Sequence, residues 1–125
     1  MTQKNIENAR FYLVDAIVEG IRRKKGLEIV NIDLSSEGDA TCDNFIICHG
    51  SSNVHVDAIA RSVEESVEEL ANESVWRQDG FQNAQWILLD YVNVMVHIFQ
   101  EPFRRSYDLE SLWGDSTIYN IEADI

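Results

Sequence analysis

Gly50-Ser51 is the first place where residue type and position point to chemistry. It follows a short apolar run, Asn44 to His49, and precedes a segment with helical spacing. Backbone N–H groups at such a strand-to-helix turn can cradle a phosphate. Nucleotidyl transfer also needs two or three carboxylates on neighbouring strands to hold magnesium ions. The strand expected to carry them offers Asp90 alone, and no Asp-x-Asp lies on a predicted strand. No Lys stands beside Gly50-Ser51 to meet a phosphate. A nucleotide-binding or nucleotidyltransferase-like enzyme using Gly50, Ser51 and Asp90 is therefore the alternative reading, not the main one.

Asp43, Asp90 and His97 could in principle form a metal or acid–base site. His97 sits between Val96 and Ile98 on an apolar strand, where a lone imidazole is more often a hydrogen-bonded core group than a ligand. His49 and His55 add no ligand spacing. Cys48 and His49 are neighbours on a strand, so their side chains point to opposite faces and make a poor nucleophile pair. No catalytic residue, cofactor site or metal site is expected. Cys48, inside an apolar run, is expected to be a small buried hydrophobe.

The chain of 125 residues carries a net charge of −12 and is 45% hydrophobic. Its isoelectric point is near 4.4. That balance argues against a direct grip on nucleic-acid phosphates, which needs clustered Lys and Arg. It does not exclude a basic protein partner, because complementary charge steers such encounters. The Arg22–Lys25 cluster reads as a solvated helix end, where cations suit the helix dipole. No apolar run reaches the roughly 20 residues needed to cross a bilayer. MTQKNIENAR lacks the apolar core of a secretory signal, so a cytoplasmic, reducing setting is expected.

The elements that must position these groups follow from periodicity. Ile6, Ala9, Leu13, Ala16, Ile17, Gly20 and Ile21 predict a helix over Asn5 to Lys25. Leu27 to Leu34 and Asn44 to His49 read as strands. Val56, Ile59, Ala60, Val63, Val67, Leu70 and Ala71 mark the buried stripe of a second helix, opposite a solvated face of Glu64, Glu65, Glu68 and Glu69. Ser74 to Gln78 reads as a short strand. Trp86–Tyr91 and Val94–Phe99 form a central hairpin around Val92-Asn93. Gln100 to Arg105 reads as a connection broken by Pro102, and Ser106 to Trp113 as a short helix. The expectation is a mixed α+β domain over residues 1–114, with about five strands flanked by helices, then an acidic tail over residues 115–125 that is mobile or partner-dependent.

The pleat of the hairpin sorts its side chains. Trp86, Leu88 and Asp90 share one face, and Ile87, Leu89 and Tyr91 the other. Both faces are largely apolar, so either something covers both or one face is a docking surface. Trp, Tyr and Arg dominate interface energies, and Trp86, Tyr91, Tyr107 and Trp113 all fall in the last third of the chain.

An ordered set of segments resembles the ribosomal silencing factor family (the Iojap-like proteins) over roughly Ala9 to Ser116. Asp43-Asn44-Phe45-Ile46-Ile47 comes first, then Gly50-Ser51-Ser52-Asn53 with Ala58-Ile59-Ala60, then Asp79-Gly80. Trp86-Ile87-Leu88-Leu89-Asp90-Tyr91 and Val96-His97-Ile98-Phe99 follow, and Arg104, Tyr107-Asp108-Leu109-Glu110 and Leu112-Trp113 close the set. The resemblance implies a nucleotidyltransferase-like α/β fold without catalytic carboxylates, and a role that is not enzymatic. It implies binding to the large ribosomal subunit through the ribosomal protein numbered fourteen, a block on joining of the small subunit, and repression of translation when nutrients are short. It also implies a homodimer when free. The residues expected at the docking surface are Trp86, Leu88, Asp90 and Tyr91, bordered by His97, Tyr107, Glu110 and Trp113. Asp90 is expected to meet a Lys or Arg of the partner. One departure concerns the hairpin: Val92 stands where the family usually has Gly. Because Val resists positive φ, a wider loop with Asn93 in the left-handed region is expected.

Overall fold

The computed structural model describes residues 3–35, 42–113 and 117–121, with the side chains of residues 3–11 left aside. In chain order the elements are α1 (Gln3–Arg23), β1 (Leu27–Asp33), β2 (Asn44–Gly50), α2 (Asn53–Ala71), β3 (Arg77–Asp79), β4 (Trp86–Asp90), β5 (Val94–Gln100), α3 (Glu101–Tyr107), α4 (Leu109–Leu112) and β6 (Thr117–Ile121). The strands form one sheet in the order β3-β4-β5-β2-β1-β6. All neighbours run antiparallel except β2 and β5, which are parallel. Among the described residues no helix is long and apolar enough to cross a membrane.

The sheet has two covered faces of unequal quality. α1 and α2 bury one face, where Leu13, Ile17, Ile21, Val56, Ile59 and Val63 pack on Ile46, Cys48, Ile87, Leu89, Val96 and Ile98. The two helices touch closely, since a Cβ on Gly20 would lie 2.6 Å from the Val63 Cα. Ser62 and Ser66 are buried in this contact, and their hydroxyls donate to the Gly20 and Ala16 carbonyls at 2.7 Å. The other face is covered by the much shorter α3 and α4, with Phe103, Leu109 and Trp113 over Val30, Ile32, Ile47 and Phe99. Trp86, Phe45 and Met95 sit at the rim of that second cluster, half-buried.

Several expectations are corrected. The sheet has six strands where about five were expected: Thr117–Ile121, assigned to a mobile or partner-dependent tail over residues 115–125, pairs with β1 along its whole length. Residues 115–116 and 122–125 of that expected tail lie outside the described residues. The β-prone run Thr-Ile-Tyr-Asn-Ile was hidden by flanking Asp115, Glu122 and Asp124. The short strand expected over Ser74 to Gln78 is shifted to Arg77–Asp79. Pro102 does not break a connection but starts α3. Its missing N–H falls in the first helical turn, where no intrahelical partner exists. The helix expected over Ser106 to Trp113 is split, because Asp108 takes a left-handed conformation (φ 47°) between α3 and α4. Leu70, placed on the buried stripe of α2, is exposed, and Glu64, placed on the solvated face, is half-buried. Burial holds the Glu64 carboxyl above the usual carboxylate range.

The hairpin turn differs too. The left-handed residue is Val92 itself (φ 72°), not Asn93. The Asn93 N–H donates to the Tyr91 carbonyl at 2.9 Å, closing a γ-turn about Val92. The Val92 N–H donates to Asp90 Oδ1 at 2.8 Å. The Asn93 carbonyl is held from outside by the Asp43 N–H at 2.8 Å. These bonds over-determine a conformation that a β-branched residue otherwise avoids.

Candidate partner-binding face

Trp86 begins β4 on the face covered by α3 and α4. Its indole stacks on Phe99 (5.0 Å between centroids, 25° between planes) and leans on Tyr107 of α3 at 4.7 Å. The indole N–H donates to Nδ1 of His97 at 3.1 Å. His97 is 5% exposed, and Phe45 meets its ring edge-on at 4.7 Å. Trp113 in turn packs edge-on against Phe45 at 5.8 Å. Burial without a charged partner pushes the His97 imidazole down to about 4. The ring is therefore neutral near pH 7, consistent with its accepting the indole N–H. Leu88 lies directly across the strand pair from His97 and is half-buried. Trp86, Leu88, His97, Tyr107 and Trp113 thus form one aromatic and aliphatic patch, fixed in the middle by a hydrogen bond.

The short helices that frame the patch are tied down by Arg104, which sequence reasoning noted only as part of a motif. Arg104 is buried, 2% exposed, under α3. Its Nη1 donates to the Glu28 carbonyl at 2.7 Å and to His49 Nδ1 at 2.9 Å. Its Nε donates to Glu110 at 3.0 Å. His49 uses its other nitrogen toward Glu101 at 3.2 Å. One guanidinium therefore joins β1, β2, α3 and α4. Glu110, expected to border the docking surface, serves this anchor. The sequence signal was slight: the first of two adjacent Arg residues after Phe103, six positions before a Glu.

Two expected residues fall elsewhere. Tyr91 does not join Trp86: it is 4% exposed in the α1–α2 core on the opposite face, as the pleat dictates. Burial there, with Glu64, Glu68 and Glu73 nearby, pushes its phenol far above the ordinary range. Asp90 shares the Trp86 face, but it is buried and its Oδ1 holds the Val92 turn. Its Oδ2 lies 3.9 Å from Arg77. This carboxylate shapes the hairpin from within and is not a free cation receptor.

The Gly50-Ser51 turn is occupied by the chain itself. The Ser51 N–H donates to Nδ1 of His55 at 2.9 Å, so the His55 Nε2–H donates to the Lys24 carbonyl at 2.7 Å. The Ser52 hydroxyl caps α2 by accepting the His55 N–H at 3.1 Å. A side chain thus fills the place where a phosphate would sit, which weakens the nucleotide reading. Among the described residues no group of three or more His, Cys, Asp or Glu is placed to hold a metal ion.

The family model described as "Ribosomal silencing factor during starvation" matches residues 6–125. The chain belongs to the ribosomal silencing factor family. It is 37% identical over 100 residues to ribosomal silencing factor RsfS of Bacillus subtilis (strain 168), covering 79% of this chain and 82% of that protein. It is 34% identical over 113 residues to the RsfS of Halalkalibacterium halodurans, covering 90% and 95%. A crystal structure of a protein from Chromobacterium violaceum superposes with a TM-score of 0.76 at 30% identity, covering 82% of this chain and 83% of that one. Family and mixed α+β fold agree with the resemblance read from the ordered motifs.

Proposed function

We propose that this chain is a ribosome-associated repressor of translation that acts by docking, without chemistry. It binds the large ribosomal subunit through the ribosomal protein numbered fourteen, in the cytoplasm, and sterically blocks the small subunit from joining. The observation that carries this reading is the Trp86 patch. It is a half-buried, pre-ordered aromatic surface on the sheet face that, among the described residues, two short helices cover, with Tyr107 exposed within it and Leu112 exposed on α4. Large amphipathic rings held rigid before contact are what interface hot spots are made of. Family membership supplies the ribosomal context, and the net charge of −12 suits a basic partner while discouraging contact with RNA phosphates. When free, the chain forms a homodimer.

Sedimentation with separated ribosomal subunits tests the proposal. The chain is expected to travel with the large subunit and to suppress formation of the joined particle when small subunits are added. Travel with the small subunit alone, or normal joining in the presence of the bound chain, would overturn it.

A further inference from the structure

Nδ1 of His97 accepts the Trp86 indole N–H. The neutral ring therefore carries its proton on Nε2, as a donor. That atom is closed to solvent and has no hydrogen-bond partner among the described residues. Its surroundings explain why. The residues directly across the neighbouring strands are Leu88 and Ile47, and those two positions away on the same face of β5 are Met95 and Phe99. Phe45 and Trp86 lie against the ring. None of these side chains brings an oxygen to Nε2. A buried donor left unmatched costs about 1–3 kcal/mol, and a folded chain rarely keeps one without a use.

We propose that the Nε2–H of His97 is a recognition donor held for the docked partner, which supplies an uncharged acceptor oxygen, a backbone carbonyl above all. The inference rests on the docking reading and adds the chemistry of its centre. The orphan donor lies in the same patch as Trp86, whereas the unpartnered Tyr91 hydroxyl and Glu64 oxygen lie toward the helices. Trp86, Leu88, Met95 and Phe45 are the half-buried residues around it. Met95 is unbranched and re-packs at low cost, so it can yield to an incoming loop. A carboxylate is disfavoured there, because the lining is apolar and the chain is already strongly acidic. A carbonyl satisfies the donor without bringing a charge into the patch.

A double-mutant cycle with purified large ribosomal subunits separates this role from that of simply holding the indole. Trp86→Phe removes the indole N–H but leaves the His97 donor. His97→Phe is expected to weaken binding about ten-fold in the Trp86 background and again about ten-fold in the Trp86→Phe background. Loss of the effect in the Trp86→Phe background would overturn the inference, since His97 would then act only through Trp86. The structure of the wild-type chain bound to the large subunit gives a reading that needs no variant. An acceptor oxygen of the partner is expected within about 3.2 Å of Nε2. Carbon atoms there, or a water enclosed by this chain alone, would overturn the inference while the docking reading stands. No binding of the wild-type chain to the large subunit would overturn both.

Discussion

The Trp86 indole N–H donates to His97 Nδ1 at 3.1 Å across the β4–β5 pair, inside a stack that also holds Phe99 and Tyr107. This bond fixes the largest side chain of the proposed docking surface before any partner arrives. Trp86→Phe keeps most of the stacking area and removes the donor, leaving Nδ1 buried and unmatched. The expected loss is about 1–2 kcal/mol of folding stability, read as a lower urea midpoint at unchanged slope. An unchanged midpoint would mean that the bond contributes nothing to the fold.

Arg104 predicts a larger effect. Removing it leaves His49, Glu110 and the Glu28 carbonyl without their common donor, around a guanidinium that is itself almost fully buried. Arg104→Met is expected to cost about 3 kcal/mol or more. Arg104→Lys should not rescue it, because a single ammonium cannot reproduce donors that point at β1, β2 and α4 together. Urea unfolding of the two variants checks this; a lysine variant as stable as the parent would contradict it.

The pH dependence follows from His97. Burial holds its folded pKa near 4, below the unfolded value of 6.5. Between those values the unfolded chain binds the proton and the folded chain does not. The stabilisation is therefore full above about pH 6.5 and is lost as pH falls toward 4, by on the order of 3 kcal/mol. Burial and the neighbouring Arg104 lower His49 in the same direction, so the comparison must be made against a variant. His97→Phe should show a shallower fall in stability over that window, measured by urea unfolding at several pH values. Parallel curves for the two proteins would contradict the assignment of a neutral, buried imidazole.

Val92 offers a gain. Its left-handed backbone costs about 1–2 kcal/mol, and its side chain is exposed, so little burial is at stake. Val92→Gly relieves that strain but frees the unfolded chain by about 0.4–1 kcal/mol. The net expectation is a thermal midpoint raised by a few degrees, with Asp90 still holding the turn. A lowered midpoint would show that the Val side chain packs to some purpose in the turn.

What the sequence made legible follows physical lines. The β4–β5 hairpin and the separation of its two faces could be read because a period of two is explicit in Trp86 to Phe99, and the observed register agrees. That same pleat put Tyr91 opposite Trp86, against the grouping implied by the motif resemblance; the pleat was the better guide. The α1–α2 contact was legible through its apolar stripe but not through Ser62 and Ser66, whose burial depends on two helix carbonyls that no local pattern reveals. β6 was missed because four strand-forming residues and an Asn among acids look like a tail until β1 is there to pair with them. Asp90 was misjudged because its carboxylate answers to the Val92 N–H two residues on, a bond set by the turn rather than by charge. Arg104 shows the same limit: its importance comes from four elements meeting around one side chain.

The central claim is that the Trp86 face is the docking surface, and the affinity of Trp86→Ala for purified large subunits tests it most directly. Truncating a central anchor costs about 2 kcal/mol or more of binding free energy, so dissociation is expected to be at least about 30-fold more favourable than for the parent, with the helical and sheet signal of the variant intact. A folded Trp86→Ala chain that binds the large subunit as tightly as the parent would contradict the account.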